Sequence, residues 1–387
     1  MAKETSSLDD LNKNKIIRLS KSCIGDAEKN AVMRVLDKEF LGMGEQVRIF
    51  EEKLSHFFGR EAVCVVNGTA ALHLALQACE IGIGDEVLVP SITYVASFQA
   101  ITATGAIPVA CDVEETSLCL DWVDAEKRIT SKTKAIMPVH YSGGVGELDK
   151  IYKLAEKYKL RVVEDAAHAF GTTYKNQKVG GFGDISCFSF DGIKNITSGE
   201  GGCIVTDDEK VLDLVKDARL LGVEKDSDKR YKGLRSWDFN VSKQGWRYHM
   251  SDIMAAIGIE QLNRFDTISA QRKEIAITYI NELGNCDQIT YIDHDYQEVV
   301  PHIFPTILAD GNSRDDISKT LNQYGIQTGI HYIPNHLHSF FKKSTKSETI
   351  LSETDSIYHS LLTLPLHEEV SKSDVKYIVG KLTGILK

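Results

Sequence analysis

The chain has 387 residues, with 45 basic against 55 acidic side chains, a net charge of −10, and a 42% hydrophobic share. That length supports a large core and more than one lobe, and the balance of residues excludes wholesale disorder. The acidic surplus argues against nucleic acid or an anionic membrane surface as partner, although a few amides and one cation can still bind a phosphate locally.

Residues 1–14 are polar and read as a frayed start, with an N-terminal extension expected over 1–25. The opening Met-Ala-Lys-Glu-Thr-Ser-Ser has none of the apolar stretch of a signal peptide, and no apolar run approaches the ~20 residues of a membrane span. Eight scattered cysteines include no CxxC pair, which fits a reducing compartment and a cytoplasmic location. Residues 26–58 read as helix, interrupted at Gly42-Met43-Gly44. Strand and helix then alternate: strand 62–66, helix 70–79, strands 87–90 and 107–112, helix 123–129, strand 134–139, helix 148–158, strands 161–164, 185–190 and 203–206, and helix 209–221. Such alternation implies an α/β fold with a large, mainly parallel sheet covered by helices on both faces. A long helical pattern over 251–283 leads to a smaller α+β domain with strand 302–308, helix 314–324, strand 326–331 and a last helix from Ser371. The expected division is a large domain over 26–265 and a small C-terminal domain over 266–387.

No G-x-G-x-x-G follows a strand and no G-x-x-x-x-G-K-[ST] occurs, so nicotinamide-Rossmann and P-loop readings have no support. The histidines His331, His336 and His338 match no zinc pattern, and no metal is expected.

Four features fall at the C-terminal ends of predicted strands, the edge where open α/β sheets bind ligands. Asn67-Gly68-Thr69 ends a strand and opens a helix, whose first amides and dipole suit a phosphate; taken alone, it reads first as a simple turn with an N-cap. Glu164-Asp165-Ala166-Ala167-His168 ends a buried strand in two acids that need partners, either a protonated ring nitrogen or an internal salt bridge. Ser189-Phe190-Asp191-Gly192-Ile193-Lys194 sets one lysine just past an apolar strand. Desolvated, it is a nucleophile able to form a Schiff base; exposed, it is an ordinary loop lysine. Thr197-Ser198-Gly199-Glu200-Gly201-Gly202 is a flexible turn into the next strand. Phosphate cup, acid and lysine in this order are the parts that pyridoxal 5′-phosphate requires.

From about residue 16 to its end the sequence resembles the DegT/DnrJ/EryC1/StrS family of sugar aminotransferases, of fold type I. Besides the four features, the resemblance rests on 84–90 (Gly-Asp-Glu-Val-Leu-Val-Pro), Ser91-Ile92-Thr93-Tyr94, 132–140, 250–262 and His331-Tyr332 with Pro334 and His336. It implies Lys194 as Schiff-base and proton-transfer lysine, and Asp165 as partner of the pyridinium nitrogen. Tyr94 would stack on the ring, His168 would lie near the ring hydroxyl, and Gly68, Thr69 and Ser189 would hold the phosphate. Glu200, His331 and Tyr332 would line the substrate side. A homodimer with shared sites is implied. The family's G-Y-N-Y-R-M appears here as Gly245-Trp246-Arg247-Tyr248-His249-Met250, so Arg247 replaces the Asn that reaches the neighbouring subunit's phosphate, and no role carries over to His249. Asp191 stands where an aromatic residue or His is more usual.

The implied reaction moves an amino group from L-glutamate to a keto sugar. The loop after Lys194 resembles members acting at C4 of a nucleotide-linked 4-keto-6-deoxy sugar, for cell-surface polysaccharide such as O-antigen. Amination at C3, a keto sugar not linked to a nucleotide, and a non-catalytic cofactor-binding regulator stay open as alternatives.

Overall fold

A computed structural model describes residues 15–284, 286–342 and 350–386; the expected frayed start over 1–14 lies outside them. Twelve strands occur among these residues. β1 (Ala62–Val65), β2 (Glu86–Pro90), β3 (Ile107–Cys111), β4 (Thr133–Ile136) and β5 (Arg161–Asp165) come first. A short hairpin of β6 (Thr173–Tyr174) and β7 (Gln177–Lys178) follows, then β8 (Ile185–Ser189), β9 (Gly202–Thr206), β10 (Ile289–Tyr291), β11 (Phe304–Leu308) and β12 (Leu361–Leu364). The large sheet runs β1-β9-β8-β5-β4-β2-β3. Only β9 opposes its neighbours; the β8–β5, β5–β4, β4–β2 and β2–β3 pairs are parallel. The expected mainly parallel α/β sheet is therefore present.

The period of two along each strand feeds two cores. Val63 and Val65 join Val87, Val89 and Val163 on one face, while Ala62 and Cys64 join Phe188 and Val205 on the other. Each such fully buried aliphatic or aromatic side chain contributes roughly 1.5–3 kcal/mol. The helix Gly68–Ala78 is apolar nearly all round and is buried on most of its surface, as its position between sheet and solvent-side helices requires. A separate core gathers Ile275, Tyr279, Phe304, Leu321, Leu364 and Ile378 around the antiparallel sheet β10-β11-β12; Ile17 belongs to it as well.

Three expected elements are corrected. The helix over 251–283 is two helices, Asp252–Asn263 and Phe265–Leu283, parted at Arg264, whose ψ of 13° leaves the helical region. The Arg264 guanidinium fixes the break by binding Glu28 at 2.9 Å and Glu368 at 2.6 Å. The strand expected over 326–331 makes only isolated bridges, Ile326 to Ile17 and Gly329 to Thr363. Its backbone serves two different partners in turn, so no continuous ladder forms. The strand expected from 302 begins at Phe304, because the His302 amide instead donates to the Ser142 carbonyl at 3.0 Å.

Candidate active site

Because β1 runs parallel to β8, the segments after β1, β2, β5 and β8 emerge on one edge, and the antiparallel β9 starts there. This edge surrounds a cavity of about 390 Å³. Gly68, Thr69, Tyr94, Asp165, His168, Ser189, Lys194, Glu200, His331 and Tyr332 all line it, so ten of the residues singled out in the sequence meet in one place. Arg247 does not line it. That residue is exposed, on an isolated bridge to Leu220.

At one end, Asn67 caps the helix Gly68–Ala78 by accepting from the Ala70 amide at 2.8 Å. The amides of Gly68 and Thr69 are then left without an intrahelical acceptor, beside the Ser189 side chain. A Cβ at Gly68 would lie 2.8 Å from the Ser189 Cβ, so only glycine lets helix start and strand end close on each other. This is a cradle sized for an anion.

Across the cavity floor, Asp165 is buried. Its Oδ2 accepts from the Ser97 hydroxyl at 2.6 Å and its Oδ1 from the Ala167 amide at 3.2 Å. Neither partner is a cation. Glu164 points to the opposite face, where it meets His140 Nε2 at 2.6 Å and receives the Tyr152 hydroxyl.

Lys194 follows a turn closed by its own amide on the Asp191 carbonyl at 3.0 Å. Burial lowers its ammonium to about 8, against the opposing pull of Asp165 and Asp191. Three imidazoles surround it. His302 Nε2 is 3.5 Å from the Lys194 Nζ and its ring lies 4.4 Å from that of His168. His168 Nε2 meets the Tyr332 hydroxyl at 2.9 Å, and His331 Nδ1 meets the Thr363 hydroxyl at 3.0 Å. Burial, then the lysine's charge, drives His168 and His302 well below the usual histidine range and His331 down to about 4. All three are neutral at physiological pH. Tyr94 is 58% exposed, with its ring 5.7 Å from that of Tyr332 at the cavity mouth. Glu200 is exposed on the opposite rim, its carboxyl raised first by partial burial and then by Asp191.

Ser97, His302 and Asn335 were not singled out by sequence reasoning. Asn335 is fully buried and clamps the loop before Tyr94 by donating to the Ser91 and Thr93 carbonyls at 3.1 and 2.8 Å. His336 is bonded to Ser91 at 2.8 Å and Asp355 at 3.1 Å, a structural pairing.

These parts fit pyridoxal phosphate: an anion cradle, an uncharged-partnered acid, a desolvated lysine, and a buried His168 Nδ1 that meets no protein acceptor or donor. The description of the DegT/DnrJ/EryC1/StrS aminotransferase family matches residues 22–383. SpsC of Bacillus subtilis (strain 168), a spore coat polysaccharide biosynthesis protein, is 35% identical over 382 residues, covering 97% of this chain and 98% of that one. The structure of the putative sugar aminotransferase Spr1654 from Streptococcus pneumoniae in its PLP-form superposes with a TM-score of 0.89 at 30% identity, over 96% of this chain and 98% of that chain. DesI, solved in the presence of its TDP-sugar product, superposes with a TM-score of 0.85 at 25% identity, over 96% and 93%. With a family match across nearly its whole length and a site whose residues suit the same cofactor, the chain belongs to the DegT/DnrJ/EryC1/StrS aminotransferases and is a pyridoxal-phosphate-dependent transaminase.

Proposed function

We propose that the protein transfers an amino group from L-glutamate to C4 of a nucleotide-linked 4-keto-6-deoxy sugar, in the cytoplasm, for cell-surface polysaccharide. The observation that carries the chemistry is Lys194 and Asp165 facing one cavity with the Gly68–Ser189 cradle at its end. SpsC's part in polysaccharide biosynthesis and DesI's TDP-sugar product support the sugar side. The domain division at 265/266 and a homodimer belong to the same reading, with Arg247 of each subunit serving the other's phosphate cradle.

Bound pyridoxal phosphate supplies an electron sink for the negative charge left when an amino acid's α-carbon loses its proton. Gly68, Thr69 and Ser189 hold its phosphate. Asp165 accepts from its ring nitrogen, and Tyr94 covers its ring. Lys194 would hold the cofactor covalently until the donor's amine takes its place; the freed amine, with its lowered proton affinity, would then take the α-proton and return it one atom away. The neutral His168, His302 and His331 leave that lysine as the one basic group among them. Glu200, His331 and Tyr332 orient the sugar, whose nucleotide adds binding energy remote from the reacting carbon.

The test is spectroscopic. Wild-type protein loaded with cofactor shows a visible band that L-glutamate bleaches, and keto-sugar nucleotides restore it with an aminated product of the expected mass. Lys194→Ala abolishes the covalent link and lowers turnover by roughly 10²–10⁴. A Lys194→Ala protein that turns over normally would falsify the assignment.

A further inference from the structure

Thr93 and Ser97 form with Asp165 a buried file whose two hydroxyls the reaction outlined above does not use. The three are 1%, 0% and 6% exposed. The Thr93 and Ser97 hydroxyls lie 2.8 Å apart, and the Ser97 hydroxyl is 2.6 Å from Asp165 Oδ2. Serine has one proton to give. At 2.6 Å from a carboxylate oxygen, against 3.4 Å from the Tyr94 carbonyl, that proton goes to Asp165. The Ser97 oxygen is then an acceptor, and Thr93 must be the donor. The direction of the file is thus fixed: Thr93 to Ser97 to Asp165.

Position supports this. Tyr94 precedes the helix Val95–Ala103, so Thr93 and Ser97 sit four residues apart, across its first turn. Asn335 holds the Thr93 carbonyl from the other side. Both hydroxyls are therefore held by fixed backbone, and Asp165 receives a hydrogen bond on each oxygen from groups that carry no charge.

We propose that Ser97, oriented by Thr93, is a positioning residue that keeps Asp165 an acceptor with a free lone pair aimed at the cofactor's ring nitrogen, so that the shared proton stays on the ring. This rests on the reading of Asp165 as the ring nitrogen's partner. A hydroxyl donating to Oδ2 stabilises the charged carboxylate more than the neutral acid, and holds the carboxyl in one rotamer. Without it, the proton moves toward Asp165 and the ring becomes a weaker electron sink.

Holoenzyme carrying ¹⁵N in the cofactor ring gives a ring-nitrogen resonance that reports this proton directly. In Ser97→Ala the resonance moves toward its unprotonated position, and kcat falls about tenfold while KM for L-glutamate stays near the wild-type value. Thr93→Val moves it the same way by less, and offers a second variant should Ser97→Ala fold poorly. Ser97→Thr, which keeps the hydroxyl, retains the wild-type resonance. If Ser97→Ala and Thr93→Val both leave the resonance in place while Asp165→Asn displaces it, the proposal is overturned and the reading of Asp165 stands. If Asp165→Asn leaves it in place as well, the reading of Asp165 itself fails.

Discussion

Glu164 and Asp165 are neighbours at the end of β5, yet the regions on the two faces of that strand treat them oppositely. On one face Glu164 is fully buried, and both its oxygens are taken, by His140 and by Tyr152. On the other, Asp165 has a hydroxyl and an amide and still borders the cavity. The strand's alternation alone separates them. A buried acid enclosed by its protein partners serves the fold, and one that also borders a cavity is available for chemistry.

This contrast can be broken by exchange of effects. Asp165→Asn is expected to lower kcat/KM by roughly 10²–10³ with little change in melting, because it removes the charge facing the ring. Steady-state kinetics and a thermal melt on the same sample check both halves, and equal damage to stability would erase the distinction. Glu164→Ala should do the converse. Leaving His140 and Tyr152 unpaired in the core is expected to cost about 3 kcal/mol in urea unfolding, with turnover per folded molecule retained. Gly68→Ala sharpens the picture at the cradle. The added methyl forces Ser189 away, and cofactor affinity measured by equilibrium dialysis is expected to drop about tenfold.

The fold is also expected to be acid-sensitive. Burial holds His249, His294 and His331 near 4 in the fold, against 6.5 when exposed. Below 6.5 the unfolded chain therefore binds more protons than the folded one, and stability declines as pH falls from about 6.5 toward about 4. Urea midpoints across that window should decrease steadily, and His294→Gln should flatten the decline. A midpoint that holds constant through the window would contradict the burial of these rings.

Much of the cofactor half was legible in the sequence. Each motif there sits where an apolar strand meets Gly, Ser or an acid, and the helix Leu148–Tyr158 emerges with the bounds its apolar spacing predicts. What escaped notice lacks periodicity. The helix Val95–Ala103 scatters Ser97, Gln99 and Thr102 among its apolar residues and is capped by Tyr94 without a side-chain bond, so neither a stripe nor a capping residue marks it or its Ser97. His302 is a lone histidine in an apolar run, and its approach to Lys194 depends on the Arg272 side chain, which holds the His302 carbonyl at 3.2 Å. Stretch 326–331 reads as strand because its residues favour extended backbone; what it lacks is a single neighbour to pair with.

Ile17 pairs with Ile326 inside the core around β10-β11-β12, and from there the chain passes to the cores of the large sheet. On the way it passes the loop bearing Lys194, where the Ser22 hydroxyl binds the Gly192 carbonyl at 2.5 Å, before it opens the helix Asp26–Asp37. The polypeptide thus leaves the C-terminal core over 18–25 and reaches it again beyond Arg264, and Val300, Phe341 and Leu351 of the later segment pack back into the cores of the large sheet. A proteolytic nick near Arg264 therefore divides the chain into two pieces that stay together by packing alone, with Ile17 of one piece seated in the core of the other.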